Sequence, residues 1–150
     1  MIGRPSVKER LGRQFDPAEL RRIKRLWVRH SIAEDRRDID GLVATLASDC
    51  VYEIVPTGQR WEGHTGARSF YSELFGAFPD NAFALSDIVV GPQGVFEVAT
   101  VTGTNLGPWA GAEATGLPIA LQVLILFPWD PATERFSGER IWFDRGALAR

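Results

Sequence analysis

The stretch from Leu117 to Trp129 constrains the fold of this chain more than any other. Its odd positions (Leu117, Ile119, Leu121, Val123, Ile125, Phe127, Trp129) are all apolar, and Ala120, Leu124 and Leu126 make the other face apolar too, with Gln122 as the polar break. A run of this length and β-branched content reads as a central strand covered on both sides. It is far too short to span a bilayer as a helix. Two alternating segments precede it, Ala82 to Val90 and Val95 to Asn105, joined by the turn Gly91-Pro92-Gln93-Gly94. Gly107 to Gly116 is a Gly-rich loop. After it, Pro131-Ala132-Thr133 turns the chain into a last strand, Arg135 to Asp144. The C-terminal half is therefore a succession of antiparallel strands.

The N-terminal half switches period. Asp16 is a good N-cap and Pro17 suits the first helical position. Leu20, Ile23, Leu26, Trp27, His30 and Ser31 then recur at helical spacing, which predicts an amphipathic helix from Pro17 to about Arg36. The basic residues Arg21, Arg22, Lys24 and Arg25 fall mostly on its other face and read as solvated. Asp38 caps a second, short helix expected to run through Leu46. Cys50 to Val55 is strand-like, Pro56-Thr57-Gly58 turns, and Gln59 to Glu62 forms a short return. A third helix begins at Thr65-Gly66, carries Phe70, Tyr71, Leu74, Phe75 and Phe78 on one face, and stops at Pro79-Asp80. Helices on one face of a curved, mostly antiparallel sheet make an α+β fold. Residues 1–15, rich in Arg, Lys and Gly, read as a loose arm with room for one helical turn, and residues 16–150 as one domain.

Composition excludes several classes. A length of 150 residues supports a core without staples. A net charge of −2 gives no footprint for nucleic acid. The single Cys50 cannot form an intrachain disulfide, and no charged-then-apolar leader opens the sequence, so a reducing cytoplasm is expected. Five Trp and nine Phe are many for this size, and such rings fill cores, dimer faces and pockets.

Three segments carry a resemblance. W-E-G-H-T-G-A-R-S-F (Trp61 to Phe70), G-T-N-L-G-P-W-A-G (Gly103 to Gly111) and G-E-R-I-W-F-D (Gly138 to Asp144) together resemble the SnoaL-like polyketide cyclase group of the NTF2-like superfamily. The resemblance covers about Leu20 to Leu148. It implies a cone in which a bent sheet wraps the long first helix and leaves an apolar cavity for a small hydrophobic molecule. It also implies acid–base chemistry without a cofactor, in the characterised members an intramolecular aldol closure served by a carboxylic acid on the last strand and a His on the preceding one. Here the His position falls near Leu124 and the acid position near Ile141, neither of which moves a proton. A slip along the last strand brings Glu139 or Asp144 into the slot. Asn105 stands where the family usually spells His in G-T-H-x-G.

The residues themselves offer further candidates. His64 opens the third helix, where an anion or a general base is well placed. His30 lies on the cavity-lining helix, one turn from Trp27 and Glu34. Glu139 shares the parity of Ile141, so it faces inward, and Asp144 faces outward, where it can cap the C-terminal turn. A carboxyl held in an apolar pocket has a raised pKa and serves as acid or base near neutrality. Tyr52 and Glu53 alternate on the first strand, and Gln122 is a polar group that marks a cavity or a dimer axis. Trp27, Phe70, Leu74 and Phe78 are expected to line the cavity beside Trp61, with Trp109 on a mobile loop at its mouth. His30 with Glu34 is the one metal-ligand spacing, which is weak, so no metal is expected. No glycine-rich turn leads from strand to helix as a dinucleotide site requires. The two-sided apolar strand predicts a homodimer. The reading is thus a small-molecule enzyme doing cyclisation, isomerisation or dehydration, or else a non-catalytic binding or dimerisation module.

Overall fold

The computed structural model describes residues 5–14 and 16–149. Residues 1–4 and Phe15, part of the expected arm, lie outside the described residues. The arm contains a short helix α1 (Val7–Leu11), closed by a capping box between Ser6 and Glu9. Arg13 anchors the arm by pairing with Glu19 and donating to the Pro92 carbonyl.

The long helix α2 spans Pro17–Asp35, with the Asp16 side chain accepting from the Ala18 N–H as its cap. It buries Ile23, Leu26, His30 and Ala33. Helix α3 (Ile39–Val43) starts at the Asp38 cap and is shorter than expected. Leu46, read as its last residue, instead opens strand β1 (Leu46–Ile54), where Leu46 and Ala47 pack into the core just after the buried turn residue Thr45. Strand β2 (Gln59–Glu62) returns against β1, and helix α4 runs Gly63–Ala77. Strands β3 (Ala82–Gly91), β4 (Gly94–Thr104), β5 (Pro118–Asp130) and β6 (Arg135–Phe143) follow, and a 3-10 helix, Arg145–Ala149, ends the described chain.

The sheet order is β2-β1-β6-β5-β4-β3, so β1 lies beside β6 although they are far apart in sequence. That pair is parallel and the others are antiparallel, which makes the curved, open sheet mixed. The helices cover its inner face, and one apolar cluster from α2, α4 and the inward residues of β1, β4, β5 and β6 forms the core. The expectation that β5 is covered on both sides is corrected for the single chain. Ile119, Leu121, Val123, Ile125, Phe127 and Trp129 are buried, but Gln122 is exposed and Leu124 and Leu126 only half-buried on the outer face.

One bulge decides what β6 presents. Phe136 and Glu139 both point inward although three residues separate them, which a regular strand forbids. The pairing with β5 takes one extra residue on β6 between Arg140 and Phe136. Gly138 sits in that bulge with φ +110°, and a Cβ there would lie 2.0 Å from the Val51 carbonyl oxygen. Only glycine fits, and it sets Glu139 directly beside Tyr52 across the parallel pair.

Candidate active site

The inner face of β6 and the last turns of α2 meet around a buried polar network. His30 on α2 is 2% exposed and Glu139 on β6 is also 2% exposed, with His30 Nε2 lying 3.3 Å from Glu139 Oε2. Thr45 fixes the imidazole. Its hydroxyl donates to the Leu42 carbonyl at 2.6 Å, so its oxygen is left to accept from His30 Nδ1–H at 2.7 Å. That places a proton on Nδ1 and turns Nε2 toward Glu139. Tyr71 on α4 donates its hydroxyl to Glu139 Oε2 at 2.6 Å and lies 3.1 Å from His30 Nε2. Because the single Tyr71 proton goes to Glu139, the Tyr52 hydroxyl, 2.6 Å away, donates to Tyr71. The result is a directed chain, Tyr52 to Tyr71 to Glu139, ending against an oriented imidazole.

Two more carboxyls surround this pair. Glu34, one turn beyond His30 on α2, is held well above the usual carboxylate range by burial first, then by Glu139 and Glu97. Glu97 on β4 is pushed up to about 8 by burial and by Glu139, and it accepts from the Trp27 side chain. Burial, and then Glu139, hold the Tyr52 and Tyr71 hydroxyls well above their ordinary value, so both remain protonated donors. The ligand atoms of His30, Glu34 and Glu139 lie within 4.8 Å of one another, close enough to share a cation. Glu139 is also held by Tyr71, and His30 by Thr45.

Glu34 and Glu139 are the polar residues of an apolar cavity of about 50 Å³ between α4 and the sheet. Phe70, Leu74, Phe78, Trp109, Val123 and Ile141 are among its walls. Room for a few waters is far below the roughly 300–1,000 Å³ of a typical ligand pocket, so any larger molecule entering would have to part the lining side chains.

The structure therefore places Glu139, Phe70, Leu74, Phe78, Trp109 and Ile141 at the wall of the apolar cavity, sets His30 and Tyr52 in the network joined to Glu139, and leaves other candidates outside both. His64 is tied to the Leu46 carbonyl at 3.0 Å through Nε2, away from the network, where it fixes the start of α4 on β1. Asp144 is exposed and accepts from Gly146 N–H at 2.9 Å, capping the 3-10 helix. Glu53 faces outward near Arg60 and Arg140, so its odd setting among valines is a solvated face and not a buried site. Gln122 and Leu124 share that outward parity, which removes both from the cavity. Trp61 packs on Phe70 and Trp109 behind the cavity wall. Trp109 itself is corrected from a mobile mouth residue to a packed one. It is 8% exposed and held against Trp61, Phe70 and Phe78, and Arg145 ties its loop through the Ala110 carbonyl. Trp27 borders a separate, polar cavity beside α2. Asn105 is buried with neither side-chain atom hydrogen-bonded, and it does not border either cavity.

Sequence reasoning missed Thr45, Tyr71 as a polar group, and Glu97, and named Glu34 only as a metal-ligand spacing with His30. Glu97 was legible in principle, since V-F-E-V-A-T-V places it at the inward parity of Val95, Ala99 and Val101. Tyr71 was hidden by an apolar stripe, in which it looks like core.

The family model for SnoaL-like polyketide cyclases matches residues 20–150. The chain belongs to the SnoaL-like polyketide cyclase family. Solved structures share its fold. A provisionally assigned SnoaL-like polyketide cyclase from Shewanella denitrificans OS-217 is 16% identical with a TM-score of 0.73, over 89% of this chain and 96% of that one. An NTF2-like protein of unknown function from Burkholderia pseudomallei K96243 is 15% identical with a TM-score of 0.71, over 86% and 98%. TerC, co-crystallised with polyporic acid, is 15% identical with a TM-score of 0.70, over 85% and 95%. A search of curated protein sequences finds no significant match. Among the described residues no helix is long and apolar enough to cross a membrane.

Proposed function

We propose that this family member is an enzyme that performs cofactor-free acid–base chemistry on a small hydrophobic molecule bearing a carbonyl group, by cyclisation, isomerisation or dehydration. The observation that carries this reading is the buried carboxyl–imidazole pair, Glu139 and His30 at 3.3 Å, with Glu139 at the wall of an apolar cavity. Proton transfer needs a group that holds its proton weakly, faces the substrate and is shielded from bulk water. Glu139 is the proton-transferring group in this reading. Tyr71 orients it, and His30, locked by Thr45, takes or returns the proton at Nε2. A carbonyl seated against Glu139 loses or gains a proton at the adjacent carbon while the ring chain Tyr52–Tyr71 steadies the changing charge. Aromatic diketones suit the aromatic walls, in keeping with a relative co-crystallised with polyporic acid.

The test is hydrogen–deuterium exchange at the carbon beside the carbonyl, followed by NMR in D₂O over a panel of aromatic 1,3-dicarbonyl compounds. Wild type is expected to accelerate exchange, and Glu139→Gln to lose roughly 10²-fold or more with the fold intact. Panel members that bind wild type without exchange would favour the rival reading, a ligand-binding module. A homodimer is proposed as well. Leu124, Leu126 and Trp142 are only half-buried on the outer sheet face, and Val89 is 64% exposed at its edge. A second copy would cover them, and a monomer mass by light scattering at micromolar concentration would count against it.

A further inference from the structure

Two cavities meet at Glu34. The first is the apolar cavity it shares with Glu139. The second, about 110 Å³, lies beside α2 and is lined by Trp27, His30, Ser31, Asp35 and Glu97 together with Phe127. It is polar and large enough for several waters. Glu34 thus lines both the apolar cavity and the polar one. Its carboxyl has no side-chain hydrogen bond among the described residues, whereas Glu139 and His30 are each held by fixed partners. A carboxyl free to rotate between two cavities can take a proton on one oxygen and release another proton from the second.

We propose that Glu34 and Glu97 carry protons between the Glu139–His30 pair and water in the second cavity, Glu34 as the link and Glu97 as the outer group. This deepens the acid–base reading by supplying the route that returns the pair to its starting state. A proton leaving Glu139 reaches Glu34 directly or through one bridging water, since their oxygens lie within 4.8 Å. The proton already on Glu34 passes from its other oxygen to water beside Glu97. Charge and atoms balance, because one proton enters and one leaves the carboxyl. The charged and titratable groups facing Glu34 are Glu139 from β6, Glu97 from β4, His30 and Asp35 on its own helix, and Arg37 just beyond it. Burial, and then the neighbouring Glu139, hold both carboxyls above the usual carboxylate range, Glu97 at about 8.

The test needs no substrate, so it stands or falls apart from the turnover assay. The hydrogen-bonded side-chain protons of His30 Nδ1 and the Tyr71 hydroxyl are followed by NMR, and their exchange with water is measured by magnetisation transfer. In Glu34→Gln, which keeps the size but cannot pass a proton, both exchange rates are expected to fall about 10-fold or more. Glu97→Gln should slow them by a smaller factor, and Glu34→Asp should restore part of the loss. Backbone amides of β6 report opening of the sheet and should keep their rates. Unchanged side-chain exchange in both Gln variants, or equal slowing of the β6 amides, overturns the relay.

Discussion

The two faces of the sheet use the same residue types for opposite ends. On the outer face Glu53 lies near Arg60 and Arg140 at 3.7 and 3.8 Å, in reach of water. On the inner face Glu139 is closed off by Tyr71, His30 and the apolar wall, and Glu97 is pushed up to about 8. The outer carboxylate meets cations and is screened by solvent; the inner ones meet hydroxyls, an imidazole and one another. Nothing about glutamate differs between them except the direction in which the strand points it. The difference teaches that the surroundings of a glutamate here follow from strand parity, and that the bulge at Gly138 lets Phe136 and Glu139 face inward together.

The strongest way to break the comparison is to remove the bulge. Gly138→Ala puts a Cβ 2.0 Å from the Val51 carbonyl oxygen at a φ of +110°, so β6 must part from β1 or lose the turn inward. The expected cost is about 3 kcal/mol or more of stability by denaturant unfolding, together with loss of the exchange activity that depends on Glu139. A variant of wild-type stability would mean that the strand does not need the bulge.

A second comparison is sharpened by pH. The Glu97 carboxyl is raised from its ordinary 4.5 to about 8, first by burial and then by Glu139. A raised carboxyl favours the folded state fully below its unfolded value, and that contribution is lost as pH rises through the folded value. Stability should therefore fall between about pH 4.5 and 8, by up to about 5 kcal/mol for this group alone. Glu34 acts in the same direction. Glu97→Gln should flatten the decline in unfolding free energy measured from pH 5 to pH 8.5. A decline as steep as that of wild type would show that the carboxyl is solvated.

The smallest expected effect lies on the outer face. Glu53→Gln and Gln122→Ala should each change stability by less than roughly 0.5 kcal/mol and leave exchange activity unaltered. A loss comparable with that of Glu139→Gln in either variant would place function on the wrong face. Cys50, buried with its thiol pushed up to about 11, should likewise resist thiol reagents in the folded protein.

Much of the architecture was legible before the structure. The Asp16-Pro17 start of the long helix, the turn between β3 and β4, and the parity that sends Glu139 inward and Asp144 outward all follow from local rules that the chain obeys. Other expectations failed for reasons of tertiary packing. Gln122 looked like a cavity marker because a polar residue in an apolar run is rare, yet its strand has two faces and only the inner one meets helices. Trp109 looked mobile because glycines flank it, yet Trp61, Phe70 and Phe78 hold it. His64 looked catalytic at a helix start, but a backbone carbonyl on β1 lay within its reach.

Sequence alone determined most of the elements, their order and the inward parity of Glu139 on the last strand, because period and parity are properties of neighbouring residues. It did not determine which polar groups share one volume. His30, Thr45, Tyr71, Glu97 and Glu139 come from α2, the segment before β1, α4, β4 and β6, and no spacing along the chain links them. Only the parallel pairing of β1 with β6, closed by the bulge at Gly138, and the packing of α2 and α4 across that face bring them within hydrogen-bond and electrostatic reach. Once they are enclosed together, burial and the neighbouring Glu139 raise the Glu97 and Tyr71 groups above their ordinary values, and that is a property of the assembled volume and not of any segment of the chain.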